Sequence, residues 1–197
     1  LGHEFAGRVD QVGEGVEGVE VGQAATVHPA TLVGDYEIAE HLKGRDNLWP
    51  ETRYYGSAAV DPHEQGGFCE YKVVRADQLR PLPDTVDTKE GSLAEPLGVA
   101  FHAVNRAGDV KGKRILVNGA GPIGALVVAA LKYRGAGEIW AADLSPAALD
   151  IAGKLGADHL VNRANGDDMP VDVDIAIEAS GASRAFGDVF MAVVRGG

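Results

Sequence analysis

The 197-residue sequence predicts an α/β protein in two parts: antiparallel β structure over residues 1–95, then a doubly wound parallel sheet over residues 96–197. Three observations carry that reading. Short alternating segments broken by turns fill the first part. Strand-like and helix-like runs alternate through the second. A glycine-rich turn, Gly119-Ala120-Gly121-Pro122-Ile123-Gly124, joins an apolar strand to an apolar helix. Alternation with period two marks strands with one buried face, whereas strand and helix in regular succession require a parallel sheet covered by helices.

In chain order, residues 6–12, 23–28, 67–74 and 78–81 read as strands of an antiparallel barrel, separated by turns such as Gly13-Glu14-Gly15 and Pro83-Asp84. The pattern changes near Leu93 to Glu95. Beyond it the sequence predicts helix 96–107, strand 114–118, helix 122–134, strand 138–142, helix 146–155, strands 158–161 and 173–178, and helix 182–194. About four strands are present where a complete dinucleotide-binding sheet has six, so the sheet is expected to be partial.

The glycine turn carries specific chemistry. Gly119 allows the tight turn, Gly121 lets the backbone approach a pyrophosphate, and Gly124 lets the helix pack against the strand. Pro122 and Ile123 open the helix, whose free N–H groups and positive dipole end face the phosphates. Asp143 follows the next strand roughly 20 residues further on, where it would accept hydrogen bonds from an adenosine ribose and repel a 2′-phosphate. The expected cofactor is therefore NAD. The Ser180-Gly181 turn lies past the strand ending at Glu178, at the carboxyl edge of the sheet, and is expected to contact the cofactor through its backbone. A glycine turn of another α/β protein, with Asp143 merely capping the helix after Ser145-Pro146, is the competing reading.

Composition narrows the class. Eighteen basic against 29 acidic residues give a net charge of −11, which argues against a nucleic-acid backbone as partner. The longest apolar run, near residues 123–131, is too short to span a bilayer, so no membrane partner is expected. A single cysteine, Cys69, excludes an internal disulfide framework and fits a reducing, cytoplasmic compartment. Cys69 falls in an alternating segment and is expected to be a small buried core residue. The chain starts at Leu1 and stops after Arg195-Gly196-Gly197, and both ends read as cuts in a longer protein, so the piece by itself is expected to be inactive.

The opening Leu1-Gly2-His3-Glu4-Phe5-Ala6-Gly7 resembles a segment of the zinc-dependent medium-chain alcohol and polyol dehydrogenases. The likeness continues in order through Gly18 to Val27, Gly67-Phe68, Glu70-Tyr71, Glu95-Pro96-Leu97, the glycine turn, Ala142 to Ser145, and Leu155 to Asp158. It implies a partial GroES-like barrel over 1–95, a partial Rossmann domain over 96–197, and assembly as a homo-oligomer, dimer or tetramer. It also implies a catalytic zinc held by His3 and Glu4, with Glu95 reaching it directly or through water. The family's cysteine ligand would precede Leu1. Adjacent residues on a regular strand point to opposite faces, so His3 and Glu4 can share a metal only from a turn, for which Gly2 is suited. The family's second, structural zinc is expected to be absent: the positions of its four cysteines hold Asp35, Ile38, His41 and Trp49, with packing of Ile38, Leu42 and Trp49 in their place.

Within that family, Arg53 to Ala58 and Pro62 to Phe68 are similar to the L-idonate 5-dehydrogenases, which implies hydride transfer between a sugar acid and NAD, L-idonate becoming 5-ketogluconate. Arg53 would then hold the substrate carboxylate, or else pair on the surface with Glu51 or Asp46. Tyr55 and His63 join it as substrate candidates, against loop packing for Tyr54 and Tyr55 and a plain turn role for His63. The neighbouring alternatives are a sorbitol, xylitol or butanediol dehydrogenase, and a zinc-free dinucleotide-binding protein of the quinone-reductase type, against which His3, Glu4 and Glu95 together argue.

Overall fold

Turns around Gly13 to Gly15 and Gly18 to Gly22 separate the first two strands of the first part. The computed structural model describes all residues, Leu1–Gly197, as two units, Leu1–Glu95 and Pro96–Gly197. The first unit holds β1 (Ala6–Arg8), β2 (Ala24–Val27), β3 (Ala30–Leu32), β4 (Thr52–Tyr54) and β5 (Leu79–Pro81). They form two antiparallel sheets, one ordered β1-β2-β5 and one pairing β3 with β4. The buried amide of Gln78, 1% exposed, ties the two together. Its Nε2 donates to the carbonyls of His28 (3.1 Å) and Ala30 (3.2 Å), and its Oε1 accepts from the Tyr55 hydroxyl (2.8 Å). A buried amide satisfied on both sides fixes a single arrangement of the segments that it joins.

Between β3 and β4 the chain makes two short 3-10 turns, Glu40–Leu42 and Asp46–Leu48. The Trp49 indole N–H donates to the Val33 carbonyl (2.8 Å), and Tyr36 meets the indole edge-on at 6.0 Å. Ile38, Leu42 and Trp49 are half-buried, and His41 is exposed. The helix α1 (Thr88–Gly91) is nucleated by a capping box in which the Asp87 carboxylate accepts from the Glu90 N–H (2.7 Å) and Glu90 accepts from the Asp87 N–H (3.1 Å). The helix α2 (Ala94–Arg106) begins two residues before the expected start, because proline is tolerated in a helix's first turn and Pro96 sits there.

Two expectations for this unit are corrected. Residues 67–74 form no strand: a ladder needs a neighbour, none runs beside them, and Phe68, Tyr71 and Val73 are exposed. For the same reason Cys69 is exposed and not a core residue. β3, β4 and α1 were not legible as elements, since runs of three or four residues are too short to display a period.

The second unit follows the sequence closely. β6 (Arg114–Asn118), α3 (Pro122–Tyr133), β7 (Glu138–Asp143), α4 (Pro146–Leu155), β8 (His159–Asn162), β9 (Ile175–Glu178) and α5 (Phe186–Ala192) succeed one another, and the all-parallel sheet is ordered β8-β7-β6-β9. Alternate residues of β6 enter opposite cores. Ile115 and Val117 pack with Val127, Val128 and Leu131 of α3 and with Leu149 of α4, while Leu116 packs with Val161, Val173 and Ala192. α5 is shorter than the expected helix because its first turn is the 3-10 segment Ser183–Ala185 and the chain is extended again at Val193. No helix is long and apolar enough to cross a membrane.

Candidate metal and dinucleotide sites

Gly2 sits at φ +89, and a side chain there would strike the Phe68 ring at 2.8 Å. That left-handed residue keeps His3 and Glu4 off the regular strand, which starts only at Ala6. Neither is constrained to the opposite face from the other. Glu95 arrives from the first turn of α2, where the helix dipole favours a carboxylate. One imidazole nitrogen and one oxygen from each carboxylate lie within 4.8 Å of one another. His3 and Glu95 are half-buried and Glu4 is exposed. A nitrogen with two carboxylate oxygens, converging with an open side, is a donor set suited to zinc.

A fourth side chain joins the cluster. Tyr54, the last residue of β4, donates its hydroxyl hydrogen to Glu95 Oε1, and its ring lies edge-on to His3 with centroids 5.3 Å apart. Burial first, and then the bond to Glu95, push the phenol well above its ordinary pKa, so it is held as a proton donor. The sequence offered only loop packing for Tyr54.

The expected substrate residues do not meet at this cluster. Arg53 precedes Tyr54 on β4, so its side chain leaves the opposite face. Its guanidinium pairs with Glu64 at 3.4 Å, not with Glu51 or Asp46. The Tyr55 hydroxyl is spent on Gln78, and Lys72 lies over its ring at 4.4 Å. His63 is exposed.

In the second unit the carboxyl ends of β6 and β9 lie side by side, Asn118 opposite Glu178, at the point where the strand order reverses. Ligands bind open parallel sheets at such points. Gly119 has φ +92, and a Cβ there would lie 2.6 Å from the Ser180 Cα, so only glycine fits. A Cβ on Gly124 would overlap the Gly119 carbonyl, whereas one on Gly121, the N-cap of α3, would meet nothing within 4 Å. That open space in front of the first turn of α3, with Pro122 and Ile123 behind it, is the room a pyrophosphate needs. Asp143 accepts from the Ala120 N–H (2.7 Å) and the Ser145 N–H (2.8 Å), so its carboxylate is fixed beside the turn. Glu178 accepts from the Asn118 amide (2.6 Å) and the Ser180 N–H (2.6 Å). Burial would raise its pKa, but the bonds from Ser180 and Asn118 outweigh that and hold it below the ordinary value. Gly181, at φ +65, completes the turn.

Residues 1–84 match the alcohol dehydrogenase GroES-like domain, and residues 122–197 match the zinc-binding dehydrogenase domain. An L-idonate 5-dehydrogenase (NAD(P)(+)) of Escherichia coli is 41% identical over 169 residues, 86% of this chain and 48% of its own length. A sorbitol dehydrogenase of Bacillus subtilis is 35% identical over 205 residues, 100% of this chain and 56% of its own. The crystal structure of L-idonate 5-dehydrogenase from E. coli superposes with a TM-score of 0.89 at 37% identity, covering 98% of this chain and 56% of that one. The chain thus spans about half the length of the relatives it matches.

Proposed function

The chain belongs, in both of its units, to the zinc-binding medium-chain alcohol dehydrogenases, and from that membership we propose that the protein interconverts a secondary alcohol and a ketone of a polyol or sugar acid with NAD. The observation that carries the reading is the convergence of His3, Glu4 and Glu95 in a family whose chemistry uses zinc. A zinc ion held by these side chains supplies Lewis acidity toward an alcohol or ketone oxygen. The protein's own part is positional: Gly2 presents two donors together, α2 presents the third, and Tyr54 holds Glu95 by one oxygen. In the second unit Gly119, Gly121 and Gly124 leave room for the pyrophosphate at α3, and Asp143 offers a carboxylate to the ribose.

Within the class, L-idonate is the substrate we favour over sorbitol, on the 41% identity to an L-idonate 5-dehydrogenase and the Arg53 to Ala58 motif. The preference rests on that sequence likeness and not on a carboxylate contact by Arg53, whose guanidinium meets Glu64 on the far face of β4. A homo-oligomeric, cytoplasmic enzyme is the accompanying proposal. The purified full-length protein should contain zinc and reduce NAD with L-idonate at a higher kcat/KM than with sorbitol. The reverse ranking would move it to the neutral-polyol enzymes, and zinc-free protein with full turnover would remove the metal from the proposal.

A further inference from the structure

Tyr54 is one side chain that touches two of the three candidate metal ligands. Its hydroxyl donates to Glu95 Oε1, and its ring edge rests on His3. A phenol hydroxyl has one hydrogen to give, and a carboxylate has two oxygens. Holding Glu95 by Oε1 therefore restricts the carboxylate's rotation and leaves its remaining lone pairs to point with the ligand atoms of His3 and Glu4 toward a shared metal. Without that bond Glu95, half-buried in the first turn of α2, has more rotamer freedom to lose when a metal binds.

The phenol is itself well anchored. Tyr54 pairs with Ala30 across the β3–β4 ladder. The next residue, Tyr55, bonds the buried Gln78, whose amide in turn holds the His28 and Ala30 carbonyls. The backbone that carries the Tyr54 phenol is thus tied to Gln78 on both sides, through its neighbour Tyr55 and through its ladder partner Ala30.

We propose that Tyr54 is a positioning residue for the metal site, acting through Glu95 to pre-orient its carboxylate; the inference rests on the zinc reading above. Groups that hydrogen-bond a metal's ligands set metal affinity, and losing one typically weakens it about 10–100-fold. Tyr54→Phe removes only the donor and keeps the ring against His3.

The test is a double-mutant cycle on zinc affinity, measured by competition with a chromogenic chelator at fixed pH for wild type, Tyr54→Phe, Glu95→Ala and the double variant. Tyr54→Phe should bind zinc about 10–100-fold more weakly with unchanged NAD affinity. In the Glu95→Ala background the same substitution should change zinc affinity by less than about twofold, because the acceptor is gone. Tyr54→Phe with wild-type zinc affinity would overturn the proposal, and so would a penalty that persists in full without Glu95. A parallel loss of NAD affinity would likewise overturn it, by marking a global effect. Wild type that binds no zinc is a different result, and it removes the zinc reading itself.

Discussion

Alanine at Gly124 and alanine at Gly121 are the same chemical change three residues apart, and the structure separates their consequences. At Gly124 the new methyl would overlap the Gly119 carbonyl oxygen and lie 2.8 Å from its carbon. Both atoms are backbone, so α3 must move away from the end of β6. Overpacking of this kind costs about 1–3 kcal/mol, and a rigid backbone neighbour places the cost at the upper end. Alanine's better helix propensity returns about 0.5–1 kcal/mol. A net loss of about 2 kcal/mol, in a unit of this size, lowers the melting temperature by about 8–16 °C. At Gly121, φ is −62 and the added methyl meets nothing within 4 Å. Stability should therefore stay within about 0.5 kcal/mol of wild type. The methyl instead occupies the space in front of α3, so NAD should bind at least about tenfold more weakly, or about 1.4 kcal/mol. Calorimetric unfolding and NAD titration of both variants read the two quantities independently. Equal destabilisation by both substitutions, or wild-type NAD affinity in Gly121→Ala, would refute the reasoning.

Asp143→Ser with Leu144→Arg should shift preference from NAD toward NADP, and should also cost about 1–3 kcal/mol of stability because the Ala120 N–H loses its charged acceptor; wild type with the higher kcat/KM for NADP would contradict the ribose argument. Elemental analysis of the full-length protein should find about one zinc per subunit, and His3→Ala should lose it while binding NAD normally, since the glycine turn belongs to the other unit. Two zinc ions per subunit would show that the loop carrying Asp35, Ile38, His41 and Trp49 binds metal after all. Glu178 has a folded pKa below its ordinary 4.5, so its contribution to stability is present above that pH and is lost as the pH falls through the lower, folded value. Glu178→Gln should accordingly be less stable than wild type near neutrality, with the gap closing in acid; a gap independent of pH would show that the charge is not what matters.

The part of the molecule built from near neighbours was legible in the residues alone. The run Arg114–Asn118, the three glycines, the helix from Pro122 and the carboxylate at Asp143 are consecutive pieces of one β-α-β unit, and β6 and α4 lie where the periodicity put them. Each piece is dictated by local sterics, because a positive φ at Gly119 and the methyl-free approach at Gly124 follow from residue type alone. The turn that lets His3 and Glu4 face one point was legible for the same reason, in Gly2. Tertiary structure decided the rest. The alternation in residues 67–74 has the period of a strand, yet a ladder requires a second strand and none lies alongside, so Cys69 is exposed. Tyr54 and Tyr55 are adjacent and chemically identical, but one turns to Glu95, 41 residues away, and the other to Gln78. Which tyrosine meets the candidate metal ligands depends on the face that a three-residue strand presents, and that face is set by long-range packing of β3 and β4, which no local period records.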